Sequence, residues 1–133
     1  MSDIREGGCV CGAARYKIEL SGHETGNCHC TDCRRQSGAP YLMFSTVPID
    51  HFRWLKKPKG KFQASPLANR LFCEQCGTFL QWEEVGQPQR RDISTASLDD
   101  PTGLAPSYEI YTKSRMEGVS PVPGATQYEE SDG

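Results

Sequence analysis

The sequence predicts an all-β fold, mainly strands with short helical turns, held together by metal. Three observations carry that prediction. Short segments of strand-like patterning recur along 133 residues, and 13 glycines and 9 prolines cut them into small pieces. Only one short helix is persuasive. Seven cysteines fall as a pair, a triplet and a pair, which is metal-ligand spacing.

Each element has its own reason. Tyr16, Ile18 and Leu20 alternate with Arg15, Lys17 and Glu19, the pattern of a half-buried strand. Tyr41 to Val47 is a continuous apolar run between Pro40 and Pro48 and reads as a buried strand. Phe52–Leu55, Lys61–Ala64, Arg70–Cys73, Phe79–Glu84, Asp92–Ser97 and Tyr108–Tyr111 are further strand candidates. The helix is Thr31–Gln36, ended by Ser37-Gly38. Short strands at close spacing point to a sheet or sandwich in one domain, residues 1–119. From about Ser120 the composition turns to Pro, Gly and acid, so 120–133 is expected to be a poorly ordered tail.

The cysteines are Cys9-Val-Cys11, Cys28-His-Cys30-Thr-Asp-Cys33 and Cys73-Glu-Gln-Cys76-Gly77. Two pairs supply four thiolates, a closed tetrahedral zinc site, and the triplet supplies three, which leaves one position open. Closed sites hold folds and open sites do chemistry. Cys73-x-x-Cys76 followed by glycine is a zinc knuckle, because Gly77 is free to take positive φ as the chain turns around the metal. Cys9 and Cys11 share a face if they lie on a strand. Spacing alone also offers a rival pairing, Cys30-x-x-Cys33 with Cys73-x-x-Cys76 as one zinc ribbon. The chain would then be a non-catalytic, zinc-stabilised binding module.

Composition excludes several classes. MSDIREGG has no apolar leader and no run of 18 apolar residues exists, so the reading is a cytoplasmic, reducing setting without a membrane segment. An odd cysteine count argues against a disulfide framework. The formal net charge is −2. Two zinc ions on seven thiolates would take it to about −5. That balance argues against nucleic acid as a partner. The sequence does not set an oligomeric state.

Four ordered motifs then end the anonymity: Gly-Gly-Cys-Val-Cys-Gly-Ala-Ala-Arg-Tyr (7–16), Cys-His-Cys-Thr-Asp-Cys-Arg-Arg-Gln-Ser-Gly-Ala-Pro (28–40), Arg-Leu-Phe-Cys-Glu-Gln-Cys-Gly-Thr (70–78) and Ser-Leu-Asp-Asp-Pro (97–101). With them the chain resembles the glutathione-dependent formaldehyde-activating enzyme family, also called the centromere protein V domain, from Gly7 to about Ser114. The resemblance implies an Mss4-like β-tent of small antiparallel sheets stapled by zinc. It implies Cys9, Cys11, Cys73 and Cys76 as structural zinc ligands. It implies Cys28, Cys30 and Cys33 as ligands of a second, catalytic zinc. The expected cofactors are therefore two zinc ions, with glutathione or a similar thiol as co-substrate. The chain departs from the family at Lys113-Ser-Arg-Met-Glu-Gly118, where relatives often carry an aromatic residue.

The chemistry that follows is thiol–carbonyl chemistry. A coordinating thiol is ionised outright, and a thiolate is the nucleophilic form. Addition of its sulfur to an aldehyde carbon gives an S-hydroxyalkyl adduct, and the reverse reaction makes the protein a carbon–sulfur lyase on S-hydroxymethylglutathione-like substrates. His29, between two ligands, is expected to point away from the metal. Asp32 is expected to cap the helix. Arg34 or Arg35 could offset the anionic site or grip a carboxylate. His23 and His51 read as surface residues, and Trp54 and Trp82 as core or groove aromatics.

Overall fold

The computed structural model describes residues 2–86 and 88–131. Along the chain run β1 (Ile4–Gly8), β2 (Arg15–Glu19), β3 (Glu24–Cys28), α1 (Thr31–Ser37), β4 (Leu42–Pro48), β5 (Phe52–Lys56), β6 (Gly60–Ser65), β7 (Ala68–Phe72), β8 (Phe79–Glu84), β9 (Arg90–Ser94), β10 (Tyr108–Ile110) and β11 (Thr126–Gln127). Single 3-10 turns lie at Ile49–His51, Thr95–Ser97 and Thr112–Ser114. The fold is all-β. β1, β2 and β5 form a small antiparallel sheet, and the remaining strands form a second sheet ordered β11-β10-β3-β4-β9-β8-β7-β6.

Period-2 alternation divides the faces of the large sheet. Thr25, Ser45, Ile93, Gln81 and Leu71 are successive register partners across β3, β4, β9, β8 and β7, and all are buried. This inner face meets Tyr16, Ile18 and Leu20 of the small sheet, and Val47, Leu80 and Ile93 join them in one apolar core. Phe52 and Trp54 pack on Tyr16, with ring centroids 5.2 and 6.0 Å away. Gly7 allows the two strands to close, since a Cβ there would lie 2.4 Å from the Tyr16 hydroxyl. The opposite face of the large sheet carries Leu42, Phe44, Thr46, Trp82, Asp92 and Arg70, which line a cavity.

Three features differ from the sequence reading. β1 and β3 are strands although neither alternates apolar with polar. β3, Glu-Thr-Gly-Asn-Cys, is nearly all buried, and its Thr25 hydroxyl and Asn27 amide N–H are hydrogen-bonded in place, while Asn27 Oδ1 has no partner among the described residues. Thr25 Oγ1 bonds Ser45 Oγ at 2.8 Å, which bonds Thr95 Oγ1 at 2.8 Å. Not every pairing is antiparallel: β10 runs parallel to both β3 and β11. The long connection over residues 95–107 returns the chain beside β3 in the same direction, as parallel pairing requires. Finally, residues 120–131, expected as a loose tail, make specific contacts. β11 pairs with β10, Val122 N–H reaches Glu109 Oε2 at 2.9 Å, and Tyr111 N–H reaches the Glu130 carbonyl at 2.9 Å. Within this largely exposed segment, the Val122 N–H and the Gln127 side chain donate to the buried Glu109 carboxylate. The last two positions of the expected tail, Asp132 and Gly133, lie outside the described residues.

Candidate functional site

Four cysteines converge where β1 and β7 end. Cys9 Sγ lies 3.6 Å from Cys11 Sγ, and Cys11 Sγ lies 3.7 Å from Cys73 Sγ. With Cys76 Sγ, all four sulfurs are within 4.8 Å of one another. A disulfide is about 2.05 Å long, so these are free thiols. Sulfurs 2.3 Å from a tetrahedral zinc stand about 3.8 Å apart, and the donor set fits that ion. The Cys9-Cys11 pair sits in a turn, not on a strand as the sequence suggested. Gly12 at φ 82° closes that turn, and the Ala14 N–H bonds Cys9 Sγ at 3.2 Å. Gly77, at φ 82°, does the same for the second pair, as its place in the sequence predicts. Hydrogen bonding from the Thr78 side chain and backbone draws the Cys76 thiol down to about 5.

Cys28, Cys30 and Cys33 form a separate cluster, with sulfurs likewise within 4.8 Å. The ribbon pairing of Cys30 and Cys33 with Cys73 and Cys76 is not formed. Cys28 is the last residue of β3, Cys30 is the N-cap of α1, and Cys33 lies in its first turn. The helix starts here because Cys30 Sγ accepts from the Cys33 N–H at 3.3 Å. That corrects the expectation for Asp32, which sits in the first turn without being the cap. α1 stops at Gly38, whose φ of 67° suits a left-handed C-cap.

The electrostatics of this triplet are those of a cation site. Hydrogen bonds from the Cys28 and Cys33 thiols hold Cys30 well below an ordinary thiol. Those same contacts, with burial, push Cys28 far up. One negative charge is favoured on the cluster, and ionising all three sulfurs needs a positive ion among them. Three thiolates fit zinc with one position left open.

Arg70 is the residue that the sequence reading passed over. It is 5% exposed, on β7, and its Nη2 donates to Cys33 Sγ at 3.5 Å. Its guanidinium lies 5.9 Å above the Phe79 ring, while Nε and Nη1 have no partner among the described residues. Arg70-Leu-Phe-Cys73 was visible as a motif. An arginine inside a strand whose neighbours are buried was the signal. Arg34 instead donates to the Ser114 carbonyl at 3.3 Å, and Arg35 is exposed on α1.

His29 is fully buried and does point away from the cluster. Its Nε2 donates to Glu109 Oε1 at 2.7 Å, and its ring packs on Tyr41 with centroids 5.1 Å apart. Glu109 is a hub. It also accepts from Asn27 at 3.2 Å, Arg115 at 3.3 Å, Gln127 at 2.9 Å and the Val122 N–H. Burial alone would raise its pKa, but His29, Val122, Gln127 and Asn27 outweigh it and hold the carboxyl at about 2.

The triplet opens on a cavity of about 540 Å³. Leu42, Phe44, Phe79, Trp82, Tyr108 and Ile110 give it apolar walls, so Trp82 is a groove residue, as one of its two sequence readings had it. Trp54 lies on the opposite side, in the core. His23, with Nδ1 2.9 Å from the Leu20 carbonyl, and His51, in a 3-10 turn, are remote from both clusters. Among the described residues no helix is long and apolar enough to cross a membrane.

Comparison with known proteins agrees with this geometry. Residues 4–114 match the family model described as "Glutathione-dependent formaldehyde-activating enzyme". An uncharacterized lyase of Schizosaccharomyces pombe is 33% identical over 82 residues, 56% of this chain and 54% of that protein. The chain thus spans about half the length of that curated relative. A crystal structure of a Rhodobacter sphaeroides protein is similar in fold, with a TM-score of 0.59 at 21% identity over 92% of this chain and 98% of that one.

Proposed function

We propose, from the premise that this chain belongs to the glutathione-dependent formaldehyde-activating enzyme family, that it is a zinc-dependent lyase cleaving the carbon–sulfur bond of thiol–aldehyde adducts. The name of the Schizosaccharomyces pombe relative supports the lyase class. One observation carries the reading: three convergent thiols, not four, line a cavity large enough for a small molecule.

Cys28, Cys30 and Cys33 would hold the ion, and Cys9, Cys11, Cys73 and Cys76 would hold a structural one. Zinc on three thiolates supplies an open position at which a substrate sulfur is stabilised as thiolate near neutral pH. The protein's own residues do the rest. Arg70 sets a fixed positive charge beside Cys33 and offsets the net negative charge of the triplet. Leu42 and Phe79, buried against Cys28 and Cys33, keep water from the sulfurs. In the cleavage direction the C–S bond breaks with its electron pair going to sulfur. The adduct's hydroxyl loses its proton as the carbonyl forms. Asp32 and Asp92 are the two carboxylates on the cavity wall among the described residues, and the proton is assigned to Asp32, which shares the first turn of α1 with Cys33.

The test is zinc content and turnover on full-length protein purified under reducing, zinc-replete conditions, with S-hydroxymethylglutathione as first substrate. Two zinc ions per chain with aldehyde release are expected. Cys30→Ser should fold, hold one zinc ion and release no aldehyde. One zinc ion in the parent protein with unchanged turnover in the variant would overturn the reading.

A further inference from the structure

The cavity has room for a whole thiol–aldehyde adduct. Its volume, about 540 Å³, lies within the range of roughly 300–1,000 Å³ that encloses drug-sized ligands. The walls next to the sulfurs then bear on what the carbonyl half can be. Beside the sulfurs, the wall formed by β3, β4 and β10 is apolar, while Thr31 and Asp32 of α1 and Arg70 of β7 lie on the other side. Cys28 has Leu42 as register partner on one side and Ile110 on the other. Two residues earlier on β3, Gly26 stands between Phe44 and Tyr108. A Cβ at position 26 would lie 2.7 Å from the Tyr108 ring. With no side chain there, the two rings meet across the strand, centroids 5.9 Å apart at 86°. Phe79 and Trp82 face them from β8.

Polar groups lie on a second wall: Thr46, Asp92, Trp82 and Arg70 are successive register partners across β4, β9, β8 and β7, and Arg70 reaches Cys33. Thr46, which donates to Asp92, is four residues along β4 from Leu42, about 13 Å at strand rise. Arg90 is two residues before Asp92 on β9 and also lines the cavity. The reacting carbon is one bond from the sulfur, so its substituent is placed against the apolar wall of Leu42, Ile110, Phe44 and Tyr108. The charged groups of a peptide thiol, several bonds further from the sulfur, are placed along Thr46, Asp92 and Arg90.

We propose that the carbonyl half of the adduct carries an apolar, ring-sized group, so that the preferred substrates are hemithioacetals of aryl or branched alkyl aldehydes. This rests on the lyase reading above. The reaction balances without an oxidant: R–CH(OH)–S–R′ gives R–CHO and R′–SH. The C–S pair goes to sulfur and the hydroxyl proton ends on the thiol. Phe44, Tyr108 and Trp82 hold R.

The experiment compares glutathione adducts of benzaldehyde and of formaldehyde on zinc-loaded, reduced, full-length protein, reading initial rates of aldehyde release. A buried methylene is worth about fourfold in affinity, so a ring should give the benzaldehyde adduct a kcat/KM at least tenfold higher. Phe44→Ala and Trp82→Ala should each narrow that ratio threefold or more. A preference for the formaldehyde adduct, or a ratio unmoved by both substitutions, overturns the proposal and leaves the lyase reading standing. If neither adduct turns over, the lyase reading fails, and calorimetric titration with benzyl mercaptan against 2-mercaptoethanol decides the cavity. Tenfold tighter benzyl mercaptan supports an apolar ring site, and equal affinities overturn it.

Discussion

The two cysteine clusters use one side chain at different distances along the chain. Cys11 and Cys73 are 62 residues apart and their sulfurs nearly touch. Cys28, Cys30 and Cys33 fall within six residues, from the end of β3 to the first turn of α1. A metal on the first cluster would therefore close a long loop, while one on the second would close almost nothing. The first also has two exposed members, Cys11 and Cys76. The second has Arg70, a buried apolar rim and space. On the proposed reading, sequence separation thus parts a staple from a reactive site before any chemistry is considered.

The largest effect should fall on the staple. Cys73→Ser is expected to lose roughly 4 kcal/mol or more, the order of closing a loop of that length. Chemical denaturation in zinc-replete buffer measures it, beside Cys30→Ser as the contrast. Equal losses in the two variants would erase the distinction.

The second region is positioned by Glu109 rather than by loop closure, and its pH dependence sharpens the difference. The folded pKa is about 2 against an ordinary 4.5. A depressed carboxyl contributes stability that is fully present above about 4.5 and is lost as pH falls toward 2. Its size is about 3 kcal/mol. Glu109→Gln should lose that amount at pH 7, and its deficit relative to the parent should shrink as pH drops from 4.5 toward 2. Urea unfolding at several pH values tests this, and a constant deficit would mean that the carboxylate's charge is not what matters.

The smallest effect is steric. Gly26 does not have positive φ, so Gly26→Ala costs no backbone strain, only the clash with the Tyr108 ring. About 1–3 kcal/mol is expected by thermal unfolding, with the four-cysteine cluster and its zinc unaffected. Loss of zinc from that cluster would show that the two regions are coupled.

Much of this was legible in the sequence, for a physical reason. Metal ligands must be close along the chain or be matched by another close pair, so both clusters announced themselves. α1 did too, through its terminal Gly38. β3 did not, because its buried face is polar and its partners, Ser45, Thr95 and Glu109, are remote in sequence. Hydrophobic periodicity reports burial against apolar groups and is blind to burial in a hydrogen-bonded layer. Residues 120–131 were misjudged for the same reason, since Gln127 and Val122 N–H are donors to a carboxylate that no local pattern reveals. Arg70 escaped because a single charge next to a ligand motif looks like surface.

The hub at Glu109 also has a consequence in time. At about 5–20 residues per second, the 80 residues that separate His29 from Glu109 take roughly 4–16 s to synthesise. Through that interval β3 has no neighbour on its β10 side, and His29 has no carboxylate partner. The three thiols beside it, Cys28, Cys30 and Cys33, are made at the same time as His29 and well before Glu109. On the proposed reading, metal capture at this cluster would be a contest on a ribosomal clock, run against whatever thiols and oxidants reach an unfinished site first.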